Sequence, residues 1–205
     1  MPRGRPREFD IDQALDAALC VFWRNGYEGA SLPDLTEAMG INRPSLYAAF
    51  GNKEQLFRRV IKRYVEGPAA CMLKALEAPT ARAVAERLLN ASITIITDPE
   101  NPHGCLLVQG ALVCGDATES VRRALQARRL ANETAIRKRF ERAKAEGDLP
   151  NEADPANLTC YIVTILRGMA VQAAGGASRQ QLRRVADMTL RAWPKSRKRS
   201  AALAG

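Results

Sequence analysis

One histidine, His103, is all that the 205-residue chain holds, and that scarcity sets its first limits. No Ser-His-Asp arrangement, no paired-carboxylate spacing and no Gly-rich phosphate loop behind a strand can be traced, so no catalytic residues and no enzyme are expected. No apolar run approaches the roughly 18–20 residues that cross a bilayer, so no membrane partner is expected. The opening MPRGRPREFD carries arginines without an apolar stretch behind them, which does not read as a secretory signal and leaves a cytoplasmic address as the expectation. Cys20, Cys71, Cys105, Cys114 and Cys160 are odd in number and never spaced C-x-x-C, which fits reduced thiols and no structural zinc. Sustained period-2 alternation of β-branched residues is missing too, as are internal repeats, so neither strands nor a solenoid are signalled.

What is present is 46% hydrophobic and 26% charged residues, a balance suited to a soluble globular protein. The net charge of +9 invites a nucleic-acid reading, but its distribution does not support one directly. Residues 1–66 hold ten Lys/Arg against nine Asp/Glu, and residues 67–178 thirteen against twelve. Residues 179–205 hold eight against one, so the excess sits at the C-terminal end. Any case for DNA must therefore rest on pattern.

The pattern is helical throughout. Asp10 with Gln13, Asn52 with Gln55, Asp116 with Glu119 and Ser178 with Gln181 have capping-box spacing, and Asp154 before Pro155 is a cap with proline at the first helical position. Gly26, Gly40, Gly115, Gly147 and the pair Gly175 and Gly176 supply stops. These signals predict an all-α chain of about nine helices, near residues 11–25, 32–39, 43–49, 53–76, 81–97, 103–114, 117–146, 155–174 and 179–192. Gly67 and Pro68 should kink or divide the fourth. Three short, tightly connected helices form an expected first domain over residues 1–55. A larger helical domain covers 56–194, and 195–205 reads as a basic, disordered tail.

Residues 31–50 carry the most information. Leu35, Ala38 and Met39 make the inner face of one short helix, Gly40 allows a sharp turn, and Ile41 plugs the angle. Leu46 and Phe50 face back into the same core, leaving Arg43, Ser45, Tyr47, Ala48 and Ala49 outward. Small residues allow close approach to a major groove, where a guanidinium can pair with guanine. A plain helical hairpin would bury the same apolar residues. Three neighbours favour DNA: Ser31 at a helix start, Lys53 in the first turn of the next helix, and the short basic arm around Arg5, which suits a minor groove.

These residues resemble the DNA-binding domain of the tetracycline-repressor (TetR) family. The likeness runs through Ala14, Leu15, Phe22, Gly26 and Tyr27, then Ser31 and Leu32, Met39 to Ile41, Ser45 to Tyr47, Phe50, and Asn52 to Glu54. The resemblance implies DNA contacts at Ser31, Arg43, Pro44, Ser45, Tyr47 and Lys53, with Tyr47 and Lys53 mostly on phosphates and Arg43 on a base edge. Alanines at 48 and 49 stand where many relatives carry bulkier or histidine side chains. It further implies a homodimer on a palindromic operator and a small-molecule effector whose binding moves the fourth helix.

In the larger domain, Leu158, Ile162, Ile165, Leu166 and Met169 form one apolar stripe, and Leu182, Val185, Met188, Leu190 and Trp193 another. They either close the monomer's core or build a two-fold interface. Two half-sites need a dimer, which favours an interface through Leu158, Ile162, Ile165, Met169, Leu182, Val185 and Met188. Cys71, Leu89, Ile93, Ile96, Leu107, Val108 and Leu112 are the expected lining of an effector pocket, though each could be plain core. No cofactor and no metal are expected. Two alternatives stay open: a helical DNA-binding accessory protein without an effector, and a regulator responding to oxidants or a soft metal through Cys105 and Cys114, near His103.

Overall fold

Glycine, proline and capping side chains set the element boundaries in the computed structural model, which describes residues 9–112 and 119–194, the side chains at 110–112 excepted. Arg5, Cys114, Gly115, Asp116, the side chain of Leu112 and the 195–205 tail lie outside the described residues. Those described form ten helices and no strand: α1 (Ile11–Gly29), α2 (Leu32–Ala38), α3 (Arg43–Phe50), α4 (Lys53–Glu66), α5 (Ala70–Ala75), α6 (Ala81–Ile96), α7 (Leu106–Leu112), α8 (Glu119–Ala145), α9 (Pro155–Ala174) and α10 (Arg179–Ala192). The all-α expectation holds. The expected helix over 53–76 is divided at Gly67 and Pro68 into α4 and α5, and that division accounts for ten helices where nine were expected.

The caps behave locally, with one refinement. Asp10 and Asn52 accept from the backbone of the first turn as predicted, but one-way. The reciprocal boxes are Ser178 with Gln181 and, unforeseen because its third residue is Asp, Ser31 with Asp34. Gly26 breaks α1 at φ 69°, so its last turn to Gly29 is set at an angle to the rest. Gly40 turns the chain between α2 and α3 at φ 64°.

Helices α1 to α4 share a core of Leu19, Phe22, Leu35, Leu46, Phe50 and Phe57. The Phe22 and Phe57 rings meet at 4.9 Å, a tilted contact of the kind aromatic pairs favour. Two side chains assigned from periodicity are reversed: Ala38 is exposed, and Ala49 is buried beneath α3. Helices of seven and eight residues have too few turns for periodicity to fix their rotation.

The larger domain builds around α6, which packs against α5, α9 and α10. Arg139 of α8 is buried and donates to the carbonyls of Leu76 (3.1 Å) and Ala78 (2.7 Å), tying the α5–α6 connection to α8. The core is continuous between the two parts, because α4 packs on α1 as well as on α5, α7 and α8. Trp23 of α1 crosses that junction. Its Nε1 donates to the Gly104 carbonyl at 3.2 Å, and its ring meets Tyr64 edge-on at 4.8 Å.

Candidate nucleic-acid interface and effector cavity

The α2–α3 unit displays its polar residues from a rigid base. Asn52 and Asn42 cap α4 and α3, the latter by accepting from the Ser45 amide at 2.9 Å. Arg43 and Pro44 occupy the first turn of α3, both exposed, and Arg43 has no ion-pair partner among the described residues. Tyr47 stands 47% exposed one turn on, with Ala48 beside it, while Ser45 is half-buried. Arg43 and Tyr47 are four residues apart and so lie on one face of the helix. Apart from the buried Ala49, this is the outward surface expected from the sequence.

Ser31 and Lys53 flank that surface with different constraints. The Ser31 hydroxyl accepts from the Asp34 amide at 3.2 Å, and the Ser31 amide donates to the Asp34 carboxylate at 3.1 Å. The Ser31 hydroxyl and amide hold the Asp34 carboxyl below its usual range, so a negative charge already sits at the start of α2. Lys53 opens α4 with its ammonium 4.6 Å from the centre of the Tyr27 ring. Partial burial lowers its pKa, with the Glu28 carboxylate opposing. Tyr27 itself rests on Phe57 at 5.1 Å, so the aromatic core positions this cation. In the sequence Tyr27 stands out only as part of the family likeness; its spacing of five residues from Phe22 gives no sign that it supports Lys53.

A cavity of about 130 Å³ lies between α4, α5, α6, α7, α8 and α9. Of the expected lining, Ile96, Leu107 and Val108 reach it. Leu89 and Ile93 do not: they lie further round α6 and are buried in the core, while Ser92, Ile95 and Ile96 face the space. Cys71 is not in the wall either, since the break at Pro68 turns α5 and leaves its thiol near the Pro68 carbonyl at 3.8 Å. Missed were Arg129, Glu133 and Ile136 of α8 and Val163, Leu166 and Arg167 of α9, at i, i+4, i+7 and i, i+3, i+4 spacing. Of these only Leu166 belongs to an apolar stripe read from the sequence; Ile136 and Val163 do not.

Tyr64 and Cys105 share the cavity's inner wall. The buried Tyr64 hydroxyl donates to the Cys105 sulfur at 3.3 Å, and burial, with the nearby thiol, pushes the phenol well above its ordinary pKa. His103 is exposed, and no three metal-binding side chains gather among the described residues.

The expected dimer residues separate into two groups. Ile162, Met169 and Leu182 are buried within the protomer's own core, so a partner cannot reach them. Leu158 and Ile165 are half-buried against the same core. Val185 (37% exposed) and Met188 (62%) face out from α10, as Tyr161 and Val171 do from α9. Apart from Val185 and Met188, the stripes read from the sequence lie on the inner flanks of these helices. Among the described residues no helix is long and apolar enough to cross a membrane.

Residues 14–60 match the bacterial regulatory proteins of the tetR family, and residues 81–189 match the tetracyclin repressor-like C-terminal domain. The HTH-type transcriptional repressor ComR of Escherichia coli (strain K12) is 36% identical over 94% of this chain and 92% of its own length. The HTH-type transcriptional repressor BdcR of the same strain is 30% identical, over 90% and 89%. A cysteine-substituted CifR, a TetR-family transcriptional regulator solved with 26-base-pair operator DNA, superposes with a TM-score of 0.88. It is 44% identical, covering 93% of this chain and all of that one. With its exposed α3, its capped turn and its continuous helical second domain, the chain belongs to the tetR family of bacterial regulatory proteins.

Proposed function

We propose that this chain is a transcriptional repressor that binds a palindromic operator as a homodimer and is released by a small molecule. The observation that carries the reading is the α3 face, where Arg43 and Tyr47 project from a helix locked by Leu46, Ala49 and Phe50 beneath. In this reading residues 1–55 contact DNA, with Arg43 at a base edge and Ser31, Pro44, Ser45, Tyr47 and Lys53 around it. Lys53 and the start of α4 hold phosphate better than Ser31, whose hydroxyl and helix start are shared with the Asp34 carboxylate. Residues 56–194 house the effector and the dimer contact. The cavity favours a ligand-responsive regulator over an accessory protein without an effector. The outward apolar residues of α9 and α10 supply the self-association that two half-sites require.

Selection of bound sites from random DNA should return a two-fold-symmetric sequence with half-sites about one helical turn, or a multiple, apart. In gel-shift titrations Arg43→Ala should cost about 1–3 kcal/mol of specific binding, and Tyr47→Phe a smaller loss. Undiminished affinity in both variants would remove α3 from the recognition role.

A further inference from the structure

The geometry points to an effector cavity closed by two subunits, in which a second copy of this chain covers the mouth between α8 and α9. This rests on the reading of the chain as a homodimer that houses an effector. The mouth is marked by an ion pair between the two helices, Arg167 to Glu133 at 3.1 Å, with side chains 43% and 39% exposed. Residues three and four apart on a helix are neighbours, so each member of the pair has a flank on either side. On α9, Val163 and Ala170 stand at i−4 and i+3 from Arg167 and line the cavity. Thr164 and Val171, at i−3 and i+4, are exposed. The pattern repeats on α8. Arg129 and Ile136, at i−4 and i+3 from Glu133, line the cavity, whereas Leu130 and Arg137, at i−3 and i+4, line a separate groove of about 110 Å³. Glu133 belongs to both. The ion pair is therefore the divide between the cavity and the outward surface.

That outward surface has the character of one that is covered. Arg167 is the only charged residue in the 20 of α9, and it sits at the mouth. The exposed face beside it, with Asn157, Cys160, Tyr161, Thr164, Gly168 and Val171, carries no charge at all. A helix face turned to water ordinarily does, while the centre of a protein interface is depleted of charge. Of the seven large apolar side chains left exposed among the described residues, five stand on α8, α9 and α10. Leu130, 62% exposed, is one of them and lies in the groove that shares Glu133. A second copy suits this surface because a two-fold contact sets like against like, and an uncharged apolar face matches itself.

Covering the mouth takes the Arg167 and Glu133 pair out of water, where such a pair is weak. An effector behind it makes its full contacts only in the dimer. By linkage, it then tightens pairing by the same factor by which pairing tightens its own binding. Release from the operator would accordingly come from a changed setting of the two subunits, not from their separation.

The test is hydroxyl-radical footprinting of the full chain, read by mass spectrometry at a concentration where light scattering shows the two-chain mass. Leu73 is the internal standard: it lines the cavity from α5, which packs on α4 and α6, and is 50% exposed against 62% for Leu130. Leu130 should be oxidised several-fold more slowly than Leu73 in the dimer. Leu130→Asp, at an exposed position that leaves the protomer folded by circular dichroism, should raise the dimer dissociation constant about tenfold or more, and Leu73→Asp should leave it unchanged. Leu130 oxidised as fast as Leu73 in the dimer, or a Leu130→Asp dimer as tight as the parent, would overturn the shared closure and leave the homodimer standing. A single-chain mass at every concentration would instead remove the homodimer itself, and the closure with it.

Discussion

Gly104 shows how one residue can hold two domains in register. It lies at φ 96°, its amide donates to the Ile96 carbonyl, and its own carbonyl receives the Trp23 indole. A Cβ here would stand 3.1 Å from the Ala174 Cβ and 3.2 Å from the Ala170 carbonyl oxygen, and would strike the Gln109 amide. The glutamine can swing away, but helix α9 cannot. Gly104→Ala should therefore cost about 2 kcal/mol or more, from the left-handed backbone and the close contact together, read as a shift in the urea midpoint at constant m-value. Sequence reasoning took Gly26, Gly40 and Gly147 as stops because each follows an apolar-periodic stretch. Gly104 starts an element rather than ending one, and its requirement comes from α9, some 66 residues away. Nothing local announces it.

Among the elements, α1 meets α4 and the α6–α7 connection through two contacts of different strength. Arg63 of α4 forms a two-pronged ion pair with Asp16 of α1, at 2.7 and 2.6 Å, with Asp12 adding a longer contact. These side chains are 38–76% exposed, and such pairs contribute about 0–1 kcal/mol. Trp23 instead is wholly buried, and Trp23→Phe would strand the Gly104 carbonyl without its donor. The indole should prevail: Arg63→Gln is expected to lower stability by less than about 1 kcal/mol, and Trp23→Phe by about 1–3 kcal/mol. Equal losses in urea denaturation would contradict that ranking. The helix-turn-helix was legible because its determinants are adjacent: Ser31 and Asn42 cap, Gly40 turns, and Leu46 and Phe50 anchor, all within 20 residues. The cavity was only partly legible. Periodicity in α9 marks Leu158, Ile162, Ile165, Leu166 and Met169 as apolar, but which of them meets α6, α8 or empty space depends on three helices at once.

At the scale of the whole molecule, the apolar residues left outside decide how copies meet. Met188 and Val185 face out from α10, as Tyr161 and Val171 do from α9, and burying one such side chain contributes about 1.5–3 kcal/mol. A two-fold axis would use each of them twice. Met188→Asp, at a position 62% exposed, should leave the protomer folded by circular dichroism while light scattering at micromolar concentration shows the single-chain mass. The same variant should bind the operator far more weakly. An unaltered dimer would move the contact elsewhere. In the proposed dimer, this outward stripe also sets how the regulator responds to its own abundance. Where nearly all subunits are unpaired, the paired species grows with the square of the number of chains, so halving synthesis leaves about a quarter of it. Gene dosage would then be read more steeply than in proportion to the number of chains.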